Sequence, residues 1–98
     1  MLEDKLKGMI GLARRAGKLP SGTVAVTKCL QSGKCALVLI DELASEGTKQ
    51  ELSRLCEKAN VPLRAVPGGL IEKSLGEYRI CAATNDTNFS AQMLKYID

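Results

Sequence analysis

The 98-residue chain has no histidine and no tryptophan, a single phenylalanine, two tyrosines, and no apolar run long enough to span a bilayer. Each absence removes a class of function. Without histidine the commonest general base is missing, and neither a Ser-His-Asp triad nor a Cys-His pair can be assembled. The four cysteines, Cys29, Cys35, Cys56 and Cys81, stand singly in apolar runs, with no CxxC spacing and no imidazole to complete a zinc site. They read as reduced core thiols, so no metal, disulfide or other cofactor is expected. GKLPSGT lacks the P-loop spacing and its terminal GK[ST], and GxGxxG is absent, which argues against nucleotide hydrolysis. Asp41 and Glu42 are adjacent at the end of an apolar run, but neighbours on a strand point to opposite faces, so they read as a solvated loop rather than a catalytic pair. No enzymatic activity is expected. The opening MLEDKLKG sets two acids ahead of its apolar positions, unlike a signal peptide, so the expectation is a soluble cytoplasmic protein that makes no use of a membrane.

What is present fits one compact domain, residues 1–98, with 45% hydrophobic content. The net charge of +3 is unevenly spread. Residues 1–34 carry seven basic side chains, Lys5, Lys7, Arg14, Arg15, Lys18, Lys28 and Lys34, against Glu3 and Asp4, a net of +5. The remaining residues hold seven bases and nine acids, a net of −2. Such asymmetry fits a surface that attracts polyanions, nucleic acid above all, and fits equally the charged outer faces of solvated helices.

The hydrophobic pattern alternates between helical and strand-like segments. Leu2, Leu6, Met9, Ile10 and Ala13 share one helical face, with acids in the first turn, Arg14 and Arg15 in the last, and Gly17 as the stop. Gly8 and Gly11 weaken that helix by about 1 kcal/mol each relative to alanine, unless close packing requires them. A second helix is expected from Thr23 to Ser32, ended by Gly33, and then CALVLI, residues 35–40, as a central strand covered on both faces. Thr48 to Glu51 form a T-x-x-E box opening a third helix, which Asn60 and Pro62 stop. LRAV (63–66) reads as a strand, 70–75 as a short helix ended by Gly76, YRICAA (78–83) as a strand, and Phe89, Met93, Tyr96 and Ile97 as a last helix capped near Asp86 or Thr87. With KLP as a brief first strand, the pattern predicts a three-layer α/β/α sandwich on a mostly four-stranded mixed sheet.

The turn in AGKLPSGTVAVTK, residues 16–28, delivers Gly22 to the start of a helix, where free backbone N–H groups and the positive dipole end favour an anion such as a phosphate. Lys18 precedes that start and Lys28 follows it. Arg14 and Arg15 can approach if the first two helices pack side by side, giving a footprint for a nucleic-acid backbone. On the residues alone, an ordinary turn beside lysines that keep a helix soluble is the slightly favoured reading.

ARRAGKLPSGT (13–23), VTK (26–28), LVLI (37–40) with Glu42, LCEK (55–58) with Val61-Pro62, and KSLG (73–76), in that order, resemble the kink-turn-binding ribosomal-protein superfamily of L7Ae and L30e type. GLARRAGKL (11–19) is especially similar to its small bacterial members, the YlxQ type. The likeness covers nearly the whole chain. It implies a structured-RNA-binding protein associated with ribosomal RNA, the ribosome or the transcription and translation machinery; a monomer is expected when free. It also implies that the loop and helix start spanning Lys18, Ser21, Gly22, Thr23, Val24, Ala25 and Lys28 dock on a kinked RNA, beside Glu42. The loop of Val66, Pro67 and Gly68 then packs on an extruded base.

The chain departs from the family pattern where base edges are read. Classical members carry Asn-Glu after Gly-Thr, and here Val24 and Ala25 stand there, neither able to make a side-chain hydrogen bond. Each lost base-edge contact removes about 1–3 kcal/mol of discrimination, so weakened kink-turn specificity is expected with phosphate contacts retained. Leu43 replaces the acid that follows Glu42, and Ile71-Glu72 replaces a Leu-Gly. The alternative is a protein-interaction module on the same fold that has lost RNA recognition.

Overall fold

The computed structural model describes residues 1–98 as α1 (Glu3–Arg15), α2 (Thr23–Gln31), β1 (Leu37–Asp41), α3 (Glu46–Ala59), β2 (Leu63–Val66), α4 (Leu70–Leu75), β3 (Cys81–Thr84) and α5 (Thr87–Ile97). The sheet order is β2-β1-β3. The β1–β2 pair is parallel and the β1–β3 pair antiparallel, with Ile40 opposite both Ala65 and Cys81. The parallel pair is joined by α3, as a crossover of this kind requires.

β1 is buried at all five positions, and its pleat divides the protein into two cores. Leu37 and Leu39 meet Leu6, Ile10 and Ala13 of α1, Ile71 of α4 and Met93 of α5. Val38 and Ile40 meet Val26 and Leu30 of α2 and Leu52 and Cys56 of α3. Helices thus cover both faces, and the expected three layers are present.

The expected fourth strand is not. KLP (18–20) forms no strand; the chain makes only one isolated antiparallel bridge just after it, Ser21 opposite Ala82, so the sheet has three strands. Pro20 accepts from the Ala83 N–H through its carbonyl at 2.9 Å but has no N–H to return, which prevents a ladder from extending. β3 also begins later than the expected residue 78. Its partner β1 ends at Asp41, whose N–H reaches the Ile80 carbonyl at 2.8 Å, leaving Tyr78 and Arg79 beyond any neighbouring strand.

Local capping explains the helix ends. At the end of α1, Gly17 (φ 71°) donates to the Arg14 carbonyl and Lys18 to the Ala13 carbonyl, at 3.0 and 2.9 Å, the Schellman pattern. α3 starts at Glu46 rather than at the expected Thr48 box, because the Ser45 hydroxyl caps it, accepting from the Thr48 N–H at 3.2 Å. Asn60 in the left-handed region ends that helix. Asp86 caps α5 through the Phe89 N–H at 2.9 Å. No helix is long and apolar enough to cross a membrane.

Candidate nucleic-acid interface

Three segments far apart in the chain converge on one end of the sheet, the carboxyl end of β1 and β2 and the start of β3. The Gly22 N–H donates to the Cys81 carbonyl at 2.9 Å, which seats the start of α2 on the start of β3. One residue earlier, the Ile80 carbonyl accepts from Asp41, and Glu42 in turn donates to the Val66 carbonyl at 2.9 Å. These bonds bring Gly22–Ala25, Glu42 and Val66–Gly68 together.

At the tip of α2, Gly22 has φ 89° and ψ 160°, a region essentially reserved for glycine. It accepts the Val26 N–H through its carbonyl but offers no side-chain cap, so the Thr23, Val24 and Ala25 N–H groups have no acceptor within the chain. Thr23 and Val24 are exposed, Val24 to 69%, and Lys28 is exposed one turn further on. Ser21 to Ala25, Lys28 and Arg79 line one shallow depression. Free amides, the helix dipole and two cations there favour a bound anion.

The second part of the surface is organised by carboxylates. Asp41 is only 6% exposed; Oδ1 accepts from Leu43 N–H at 2.7 Å and Oδ2 from Gly69 N–H at 2.9 Å. Glu42 Oε1 accepts from the Gly68 N–H at 3.1 Å. The expectation of a solvated Asp41-Glu42 loop is therefore corrected for Asp41, since burial with two amide donors makes it the anchor of the Pro67–Gly69 turn. Val66 turns its side chain into the α1-side core and offers only backbone to the surface, while Pro67 and Gly68 are half-buried. Leu43, 76% exposed, lies over Gly68, where a Cβ would come within 2.6 Å of its Cδ1.

The basic residues divide. Arg14 reaches the site through an ion pair with Glu77 at 2.9 Å, and Glu77 also holds Arg79 at 3.5 Å. Arg79 in turn lies against Gly22, with its Cδ and Nε 3.6 and 3.7 Å from where a Cβ would stand. Arg15 and Lys28 have no carboxylate partner, nor does Lys18. Lys18 lies four residues back along the segment that runs beside β3, up to ~13 Å of backbone from Gly22. Lys34 follows the far end of α2.

Arg79 was absent from the residues that sequence reading singled out. Its only signal was a basic residue immediately ahead of an apolar strand.

No group of three or more Cys, Asp or Glu is arranged to hold a metal ion. All four cysteines are free and belong to the core between the sheet and the α2–α3 layer. Burial pushes the Cys56 and Cys81 thiols up to about 11, and burial together with the neighbouring Cys29 thiol pushes Cys35 up to about 12. Such thiols are poor nucleophiles at neutral pH.

Fold and end surface together define a small α/β/α protein whose exposed helix tip and flanking cations are suited to an anionic partner. Residues 4–93 match the Ribosomal protein L7Ae/L30e/S12e/Gadd45 family, and the chain belongs to that family. The RNA-binding protein YlxQ of Bacillus subtilis (strain 168) is 32% identical over 92 residues, covering 92% of each chain. A structure described as a protein with unknown function from Bacillus halodurans C superposes with a TM-score of 0.90 at 29% identity, covering 96% of this chain and 97% of that one. The Giardia lamblia 15.5kD RNA binding protein shares the fold, with a TM-score of 0.78 at 19% identity over 98% of this chain and 87% of that one.

Proposed function

We propose that this chain is a cytoplasmic, non-enzymatic protein that binds structured RNA of the ribosome or the translation apparatus, with weakened specificity for the classical kink turn. The observation that carries this reading is the tip of α2: three backbone amides without acceptors, beside Lys28 and Arg79, facing solvent. In this reading the amides of Thr23, Val24 and Ala25 hold a phosphate, and Gly22 lets the backbone approach it. Ser21, Lys28, Arg14, Arg15 and Lys18 supply hydrogen bonding and charge to the neighbouring backbone. Glu42 and the Val66-Pro67-Gly68 turn form the wall against which an unpaired base rests. Family membership and the RNA-binding YlxQ relative support the same reading. Because Val24 and Ala25 carry no polar side-chain atoms, affinity comes mainly from the backbone of the RNA.

The test is a salt titration by fluorescence anisotropy, using a labelled kink-turn RNA and a labelled straight duplex. Binding should weaken steeply with salt, and Lys28→Ala should reduce the slope of log K against log salt by about one. Equal, weak binding to every polyanion, unchanged by Lys28→Ala, would overturn the reading. One observation favours a second reading, a protein-interaction module: Val24 and Leu43 expose apolar side chains on this same end. Association with a protein partner that persists at high salt and after ribonuclease treatment would support that alternative.

A further inference from the structure

We propose that Cys29 and Cys35 join in a reversible disulfide when they meet a small-molecule disulfide, fastening the trailing end of α2 to the start of β1. The site lies at the end of α2 away from Gly22, and the inference stands independently of the RNA-binding reading.

All four thiols are free, but they are not equivalent. Cys56 and Cys81 are 2% and 0% exposed, whereas Cys29 and Cys35 are half-buried at the margin of the same core. The chain folds back between the second pair. Ser32 donates to the Cys29 carbonyl through both its hydroxyl, at 2.6 Å, and its N–H, at 3.2 Å, and its Oγ accepts from the Lys34 N–H at 3.2 Å. Gly33, at φ 77°, supplies the reversal. Beyond the turn, the Ala36 N–H donates to the Thr84 carbonyl at 2.8 Å, which fixes the residue after Cys35 to β3. The Cys35 thiol is thereby left in hydrogen-bonding reach of the Cys29 thiol, and its Sγ faces the Leu37 carbonyl at 3.8 Å. Two thiols held side by side and partly open to solvent are placed to join without unfolding.

The order of attack follows from their surroundings. Burial and the neighbouring Cys29 hold the proton on Cys35, pushing it up to about 12, which leaves Cys29 to open the reaction. The Cys29 thiol gives up its proton, and its sulfur attacks one sulfur of the small disulfide. A mixed disulfide forms and one small thiol departs. Cys29 then carries no charge, so its hold on the Cys35 proton is removed. Cys35 loses that proton and attacks the Cys29 sulfur, closing the ring and expelling the second small thiol. The protein has lost two protons and two electrons, and the small disulfide has become two thiols. Lys28 and Lys34, beside the two cysteines in sequence, are exposed and have no carboxylate partner, so an anionic disulfide is attracted to this end.

The test exposes the folded, reduced protein to oxidised glutathione and follows it by mass spectrometry, peptide mapping and thermal melting. The expected product has lost two hydrogens, carries a Cys29–Cys35 link and melts about 5–10 °C higher than the reduced protein. Dithiothreitol should reverse all three changes. Cys35→Ser should stop at a glutathione adduct on Cys29, and Cys29→Ser should form no bridge. Four free thiols in the folded protein, after a treatment that oxidises the urea-unfolded chain, would overturn the inference. So would a bridge that includes Cys56 or Cys81, or an oxidised protein that melts no higher.

Discussion

The Asp41 carboxylate accepts the Gly69 N–H at 2.9 Å, tying the end of the central strand to the start of α4. With its other oxygen on Leu43 N–H, this buried side chain shapes both turns at the proposed RNA-binding end. Asp41→Asn keeps the size but replaces a charged acceptor with an amide, one of whose ends must face a donor. A loss of about 1.5–3 kcal/mol is expected in urea unfolding, with faster hydrogen exchange at Gly69. Unchanged exchange at Gly69 would show that the carboxylate does not hold the turn.

Gly8 lies inside α1 with ordinary helical backbone, exposed, and with nothing within 4 Å of an added Cβ. Neither close packing nor a special conformation requires glycine there. Gly8→Ala should therefore stabilise the protein by about 0.5–1 kcal/mol, read as a higher urea midpoint with the same m-value. A lower midpoint would show that the position serves something other than the helix. Gly11 faces the Ser74 carbonyl at 3.9 Å, ordinary contact distance, so the same change there should gain less.

Gly22 presents the opposite case. At φ 89° any side chain is strained, so Gly22→Ala should cost about 1–3 kcal/mol or shift the first turn of α2. Both effects should appear together, as a lower melting temperature and weaker RNA binding. Full RNA affinity in a destabilised Gly22→Ala protein would separate the tip conformation from recognition.

Val24→Asn with Ala25→Glu places hydrogen-bonding groups at the two positions that lack them. Because Val24 is exposed and Ala25 half-buried at the lip of the depression, the change should fold normally. The ratio of kink-turn to straight-duplex affinity should rise by about tenfold, the value of one good base-edge contact. An unchanged ratio would show that a kink turn does not dock on this face.

Folding raises the Cys56 and Cys81 thiols from 9.0 to about 11, so the unfolded chain releases those protons first as the pH climbs. Below pH 9 both states hold the protons and the stabilisation is complete. Between 9 and about 11 the unfolded state binds fewer protons and stability falls. Urea midpoints should decline through that window, less steeply in Cys81→Ala than in the wild type. An identical decline in the variant would remove Cys81 from the explanation.

Patterns confined to a few residues were legible before any coordinates. The Leu6–Ile10–Ala13 face, the apolar run Leu37–Ile40 that fills β1 up to Asp41, and the stops at Gly17, Asn60 and Gly76 follow from helical period, two-sided burial and local backbone preference. At α3 the T-x-x-E pattern from Thr48 and the Ser45 hydroxyl are competing start signals three residues apart, and Ser45 prevails by accepting the Thr48 N–H. The missing fourth strand is instructive. KLP has the right composition, but Pro20, just before the Ser21–Ala82 bridge, has no N–H to extend the pairing back into it.

The sequence by itself determined the layered α/β plan and the glycine-led helix start, because both arise from side-chain period and backbone preference within about one helical turn. Only the tertiary structure decided that Asp41 is an internal anchor and that Arg79, held by Glu77, lies against Gly22. Those relationships depend on the Ile80 and Cys81 carbonyls meeting amides from two distant segments, and such pairings exist only once the sheet has aligned its strands.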